Sequence, residues 1–171
     1  MLLPRPVPTY ATDTPIVELQ PAELFVICLA RLWVLHYRKP EEVPAHWRAG
    51  FAHMHIDSDG EAGFDALFGL IAASAVRNID TRCKCCPHLG EDEGWLLQLI
   101  CRLQDDQLAE AAAILRAWLP PGAVRRAFGS AQAFAAGLAA RGLLIPLRDA
   151  DEVRHPMEMG VHAVCTSGLR H

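Results

Sequence analysis

Residues 21–39 read PAELFVICLARLWVLHYRK. No glycine and no internal proline falls in this stretch, so nothing in the backbone stops a helix once Pro21 has opened one at its first turn. His36, Arg38 and Lys39 gather at the end, where the helix dipole favours positive charge. Leu24, Phe25, Ile27, Cys28, Leu32 and Leu35 wrap more than half the circumference, and Trp33 and Val34 widen the stripe. The spacing predicts a helix at the centre of a core. Arg31 interrupts the apolar run, which at about twelve residues is short of the roughly 20 needed to cross a bilayer.

Elements to either side follow the same logic. Prolines at 4, 6, 8 and 15 remove backbone donors and fix φ, which predicts an extended arm over residues 1–19. On the other side, Pro40 and Pro44 bracket a turn, and PAHWRAGFAHMHI (44–56) predicts a short second helix ending near Ile56. Asp57, Ser58 or Asp59 then caps a third helix, EAGFDALFGLIAASAVRN (61–78), where Phe64, Leu67, Phe68 and Ile71 form one buried stripe. A fourth opens on Glu91, Asp92 and Glu93, whose charge suits unpaired amides, and continues with Leu96, Leu99, Ile100 and Leu103 at helical spacing. QDDQ (104–107) caps a fifth, with Leu108, Ala112 and Leu115 aligned before LPPG (119–122) ends it. A sixth runs from about Gly122 to Arg141, rich in alanine with Gly129 and Gly137, and Gly142 is its natural C-cap. Its small side chains predict close approach of a neighbouring helix.

The brief GLLIPL (142–147) is the one strand candidate, and no internal repeat is visible. The expected fold is all-α: a single-domain bundle of about five to six helices with irregular N- and C-terminal tails. The helical domain is expected over 20–145, with a cysteine-rich turn at 81–90 and an irregular tail over 146–171.

Composition bounds the function. With 51% apolar and 21% charged residues in 171, the chain suits one globular domain with a real core. A formal charge of −4 and scattered basic residues argue against a nucleic-acid partner, because neutralising phosphates takes clustered Lys and Arg. Arg125 and Arg126 read as a solvated helix face. Lys39 and Lys84 are the only lysines and alanine is abundant, a bias that points to a GC-rich bacterial genome. The N-terminus lacks the pattern of a secretory signal, so a cytoplasmic location without membrane attachment is expected, and there cysteines stay mostly reduced.

Chemistry concentrates in TRCKCCPHLG (81–90). Cys83 and Cys86 have C-x-x-C spacing, which lets two thiolates on a tight turn point at one ion; Cys85 adds a third sulfur and His88 an imidazole. Zinc is the natural occupant. Cys85 and Cys86 are adjacent and tend to diverge, so a complete tetrahedron needs a donor from elsewhere: Cys101 on the fourth helix, or His53 or His55 at the end of the second. The dense sulfur would also suit Cu(I). Arg82, Lys84 and the helix start favour thiolate while Glu91, Asp92 and Glu93 oppose it, so a redox pair of Cys83 and Cys86 is an alternative. Incidental thiols in a connector are the third reading; Cys28 and Cys101 are expected as core side chains and Cys165 carries no functional weight.

Other signatures fail. DSDGEAGFDALF lacks the bidentate Glu that closes a calcium loop, and no phosphate-binding loop, dinucleotide fingerprint or nucleophile elbow is present. Trp33, Trp47, Trp95 and Trp118 read as core or interface anchors. The expectation is therefore a small helical protein with a structural zinc on Cys83, Cys85, Cys86, His88 and Cys101, acting as a regulatory or adaptor module. Its partner would be another protein or a second copy. A thiol-based redox or metal sensor is the first alternative, and a metalloenzyme with an open zinc position the second.

Overall fold

A computed structural model describes residues 7–148. Six α-helices are present among them: α1 (Pro21–Arg38), α2 (Trp47–His53), α3 (Ser58–Ser74), α4 (Glu91–Gln104), α5 (Leu108–Trp118) and α6 (Pro121–Ala139). They share one hydrophobic core, and no strand forms among the described residues. A single antiparallel bridge joins Pro15 to His88. The expected all-α class and single domain hold. Residues 149–171, most of the expected C-terminal tail, lie outside the described part.

Helix α1 buries a different face from the one its apolar pattern predicts. Ala22, Val26, Ile27, Leu29, Ala30 and Trp33 turn inward, and with them the charged Glu23 and Arg31. Leu24 is 36% exposed and Cys28 also faces outward, so neither is a core side chain. The rotation is stabilised by partners for both charges, the buried Tyr10 and half-buried Arg148 for Glu23 and the buried Glu93 for Arg31.

Elsewhere the stripes are found where periodicity puts them. Phe64, Leu67, Phe68 and Ile71 are buried on α3, and Leu96, Leu99, Ile100 and Leu103 on α4. Asp57 caps α3 by accepting from the Gly60 N–H at 2.7 Å. On α5 the buried line is Ala111, Ile114, Leu115 and Trp118, whereas Leu108 is 44% exposed. Helix α3 stops at Ser74 rather than continuing to residue 78, because the Val76 N–H is taken by the Trp118 carbonyl at 2.9 Å.

Small residues let α3 and α6 touch. A Cβ on Gly63 would lie 2.6 Å from the Ser130 carbonyl oxygen, and one on Gly137 would lie 3.0 Å from the Gly60 Cα. Over this seam Trp47, Phe51, Phe64 and Phe134 pack ring against ring. Helix α6 ends with Gly142 at φ +72°, the Gly142 N–H bonded to Ala139 O and the Leu143 N–H to Leu138 O. This is the double-bonded C-terminal motif that glycine permits. The segment after it is extended but pairs with side chains: Gln104 accepts from the Ile145 N–H at 2.9 Å and donates to Leu143 O at 3.0 Å.

Candidate functional site: a cysteine turn fastened from inside

The cysteine turn lies between the N-terminal arm and the start of α4. The Ile16 N–H donates to Pro87 O at 2.9 Å and the Leu89 N–H to Thr14 O at 2.8 Å, so the arm is stitched to the far side of the turn. Arg31 reaches it from below. Its Nη1 donates to Cys86 O at 2.7 Å and its Nη2 to His88 O at 2.8 Å. The same guanidinium makes a two-pronged pair with Glu93, Nε to Oε1 at 2.7 Å and Nη2 to Oε2 at 2.8 Å. Both side chains are almost wholly buried, at 3% and 2% exposure. The planar fork of arginine matches a carboxylate and two carbonyls at once, which a lysine ammonium would not.

Glu93 also holds the helix start. It accepts from the Gly90 N–H at 2.8 Å and from the Arg82 N–H at 3.2 Å, so one carboxylate caps α4 and anchors both flanks of the turn. Asp92 does the parallel job one residue earlier. It accepts from Arg77 at 2.6 and 2.8 Å, from the Asp80 N–H at 2.7 Å and from the Trp118 Nε1–H at 2.9 Å. Burial alone would raise its pKa, but Arg77 and the two N–H donors outweigh burial and hold the carboxyl below its ordinary value.

The side chains of the turn differ in exposure. Cys83 and Cys85 are exposed, Cys86 is half-buried and His88 is exposed. The Cys86 N–H donates to Cys83 O at 3.0 Å, closing a tight turn between the two ends of the C-x-x-C spacing. Cys101 is not with them. It lies in the core face of α4, ten residues or about 15 Å from the helix start, with its Sγ 3.8 Å from Asp105 and its pKa pushed up to about 11 by burial. His53 closes α2 and His55 follows in the left-handed region at φ +53°, both exposed. Among the described residues, no three His, Cys, Asp or Glu side chains are grouped so as to hold a metal ion.

Two residues of the site escape the sequence patterns. Arg31 reads as a break in an apolar run, and Glu93 as one of three capping acids. Cys28 is the other surprise. It stands one turn before Arg31 on α1, close enough for the charges of Arg31 and Glu93 to act on it, and burial of its surroundings raises its pKa despite its exposed position. Arg31 thus feels the thiols of both Cys28 and Cys86.

Comparison with protein-family models, with curated proteins and with solved structures found no match to this chain. Among the described residues no helix is long and apolar enough to cross a membrane.

Proposed function

We propose that the chain is a thiol-responsive regulatory module whose cysteine turn is its working surface. The observation that carries the reading is the buried Arg31 fork: it grips Cys86 O and His88 O, so the turn keeps its shape through the protein's own hydrogen bonds while Cys83 and Cys85 stay exposed and Cys86 half-exposed. A loop shaped by zinc draws its folding energy from the ion, and this one has other fastenings.

The Cys86-to-Cys83 turn bond brings the two Cα atoms to within about 7 Å, the span of a β-turn, which overlaps the range a disulfide bridges. The reaction is oxidation by a hydroperoxide. One thiolate takes the distal oxygen, giving a sulfenic acid and releasing an alcohol or water; the second thiol displaces that oxygen as water and forms the S–S bond. Two thiols and one hydroperoxide therefore become a disulfide, an alcohol and water. Because Cys86 O is a ligand of Arg31, movement of Cys86 bears on the Arg31–Glu93 pair and hence on α1 and the start of α4. The output is a changed helical surface for another protein or a second copy.

Peptide mapping after treatment with hydrogen peroxide tests this. The expected result is a Cys83–Cys86 cross-link, reversed by dithiothreitol and absent in Cys83→Ser. Unreacted thiols at these positions, or overoxidation without a cross-link, would overturn the reading.

The density of sulfur favours a second reading, an ion held by the same thiolates with His88, zinc or Cu(I) being the candidates. If zinc were structural, chelation would remove helix signal by circular dichroism and free thiols would appear. With Arg31 and the arm as fastenings, chelation is expected to leave the helix signal and the melting temperature unchanged.

A further inference from the structure

Beside α1 a cleft of about 630 Å³ opens between that helix, α3 and the segment leading to the cysteine turn. Its volume falls in the range of small-molecule sites. Trp33, Phe68 and Trp118 form an aromatic wall, and exposed Tyr37 stacks on Trp33 with ring centroids 5.0 Å apart and planes 11° from parallel. Trp33 is itself buried beneath Tyr37 and against Phe68, so the open aromatic surface of the stack is that of Tyr37, which is 55% exposed.

The polar groups around the wall are unequal. Asp92 and Glu93 lie in the lining, but each is already committed: Asp92 to Arg77, the Asp80 N–H and Trp118, and Glu93 to Arg31 and two backbone N–H groups. A cationic ligand would have to displace an existing ion pair to reach either of them, and the one between Arg31 and Glu93 is buried, which makes that costly. Arg38 is different. It lines the cleft from the last turn of α1, is exposed, and makes no ion pair among the described residues. Arg77 also lines the cleft and is 43% exposed, but its guanidinium is held by Asp92.

We infer that this cleft binds a small aromatic anion, with the ring against Tyr37 and the carboxylate on Arg38. The inference stands apart from the thiol reading, since none of these groups is a cysteine. Naphthalene-2-carboxylate is the probe, titrated calorimetrically into the full chain, with naphthalene-2-carboxamide as the uncharged isostere. One-to-one binding is expected with a Kd on the order of 0.1–1 mM, reasonable for a ligand of this size. The carboxylate should bind about tenfold tighter than the amide, as a charge-assisted bond to arginine implies.

Two variants locate it. Arg38→Gln should bring the carboxylate down to the affinity of the amide, while leaving the amide unchanged. Ala72→Leu should weaken both probes, because Ala72 is an exposed lining residue whose enlargement takes space from the cleft without entering the core. An unaltered melting curve shows that either variant is folded. No saturable binding of the carboxylate to the native chain, equal affinity for the two probes, or full binding by Arg38→Gln would each overturn the inference.

Discussion

Arg31 has four acceptor contacts and almost no contact with water: two Glu93 oxygens and the carbonyls of Cys86 and His88. A guanidinium so placed contributes less through net attraction than through what its removal leaves behind, since desolvation offsets much of the Coulombic gain. Arg31→Met would leave Glu93 buried without a counter-charge and free two carbonyls of the turn. Glu93→Gln would leave the guanidinium buried and unpaired. Each single change is expected to cost about 3–5 kcal/mol in urea unfolding. The double variant Arg31→Met with Glu93→Gln should cost less than the sum of the two, and strict additivity would show that the pair is not the coupled unit its geometry makes it. Cys101 offers a contrast at the same scale. Its thiol is buried and its pKa raised to about 11, so alkylation of the native chain should modify Cys83 and Cys85 readily and Cys101 only after denaturation.

At the scale of elements, the seam between α3 and α6 shows how much a single hydrogen in place of a methyl decides. Gly63 has no room for a Cβ, which would meet Ser130 O at 2.6 Å and the Phe134 nitrogen at 3.0 Å, both backbone atoms of α6. Gly69, six residues further along the same helix, has nothing within 4 Å of that position. Gly63→Ala should therefore destabilise the fold by about 1–3 kcal/mol as the helices are forced apart. Gly69→Ala should stabilise it by about 0.5–1 kcal/mol through better helix propensity alone. Opposite signs in thermal melts of two identical substitutions would follow only from this packing. The seam was readable in the sequence because an alanine-rich helix with glycines has few uses except close approach. The α3 and α4 stripes were readable because four apolar residues recur at helical spacing in each. The orientation of α1 was not, since hydrophobic periodicity assigns Glu23 and Arg31 to solvent. Their partners lie 125 and 62 positions away, at Arg148 and Glu93, where no local pattern reaches. For the same reason the turn's location ahead of α4 was legible and its fastening was not; the expected gathering of Cys101 with the turn fails because Cys101 belongs to the core face of α4.

Across the whole molecule, the arm, the extended segment after α6 and α1 meet at one carboxylate. Glu23 accepts from the Tyr10 hydroxyl at 2.6 Å, from Arg148 at 2.8 and 2.9 Å and from the Gln20 N–H at 2.6 Å. Burial would raise its pKa, but Arg148, Tyr10 and the backbone donor together hold it below its ordinary 4.5, as Arg77 and its neighbours hold Asp92 below 3.8. A carboxyl depressed in the folded state contributes stability that is complete above its unfolded value and is lost as pH falls through the folded one. Stability should accordingly be level above about pH 4.5 and decline below it. The alkaline side has the opposite sign. The Tyr10 hydroxyl, buried and bonded to Glu23, has its pKa raised above the ordinary 10.0, and the Cys101 thiol rises from 9.0 to about 11. Groups kept neutral by the fold contribute fully below their unfolded values, and that contribution is lost as pH rises past about 9 and on through the folded ones. Urea midpoints measured across pH are expected to trace a plateau bounded by these two limbs. Asp92→Asn should flatten the acid limb, and Cys101→Ala should flatten the alkaline limb by an amount on the order of 1–3 kcal/mol. If Asp92→Asn left the acid limb as steep as in the native chain, the carboxylate that ties Arg77, Asp80 and Trp118 together would not be the group whose protonation loosens the fold.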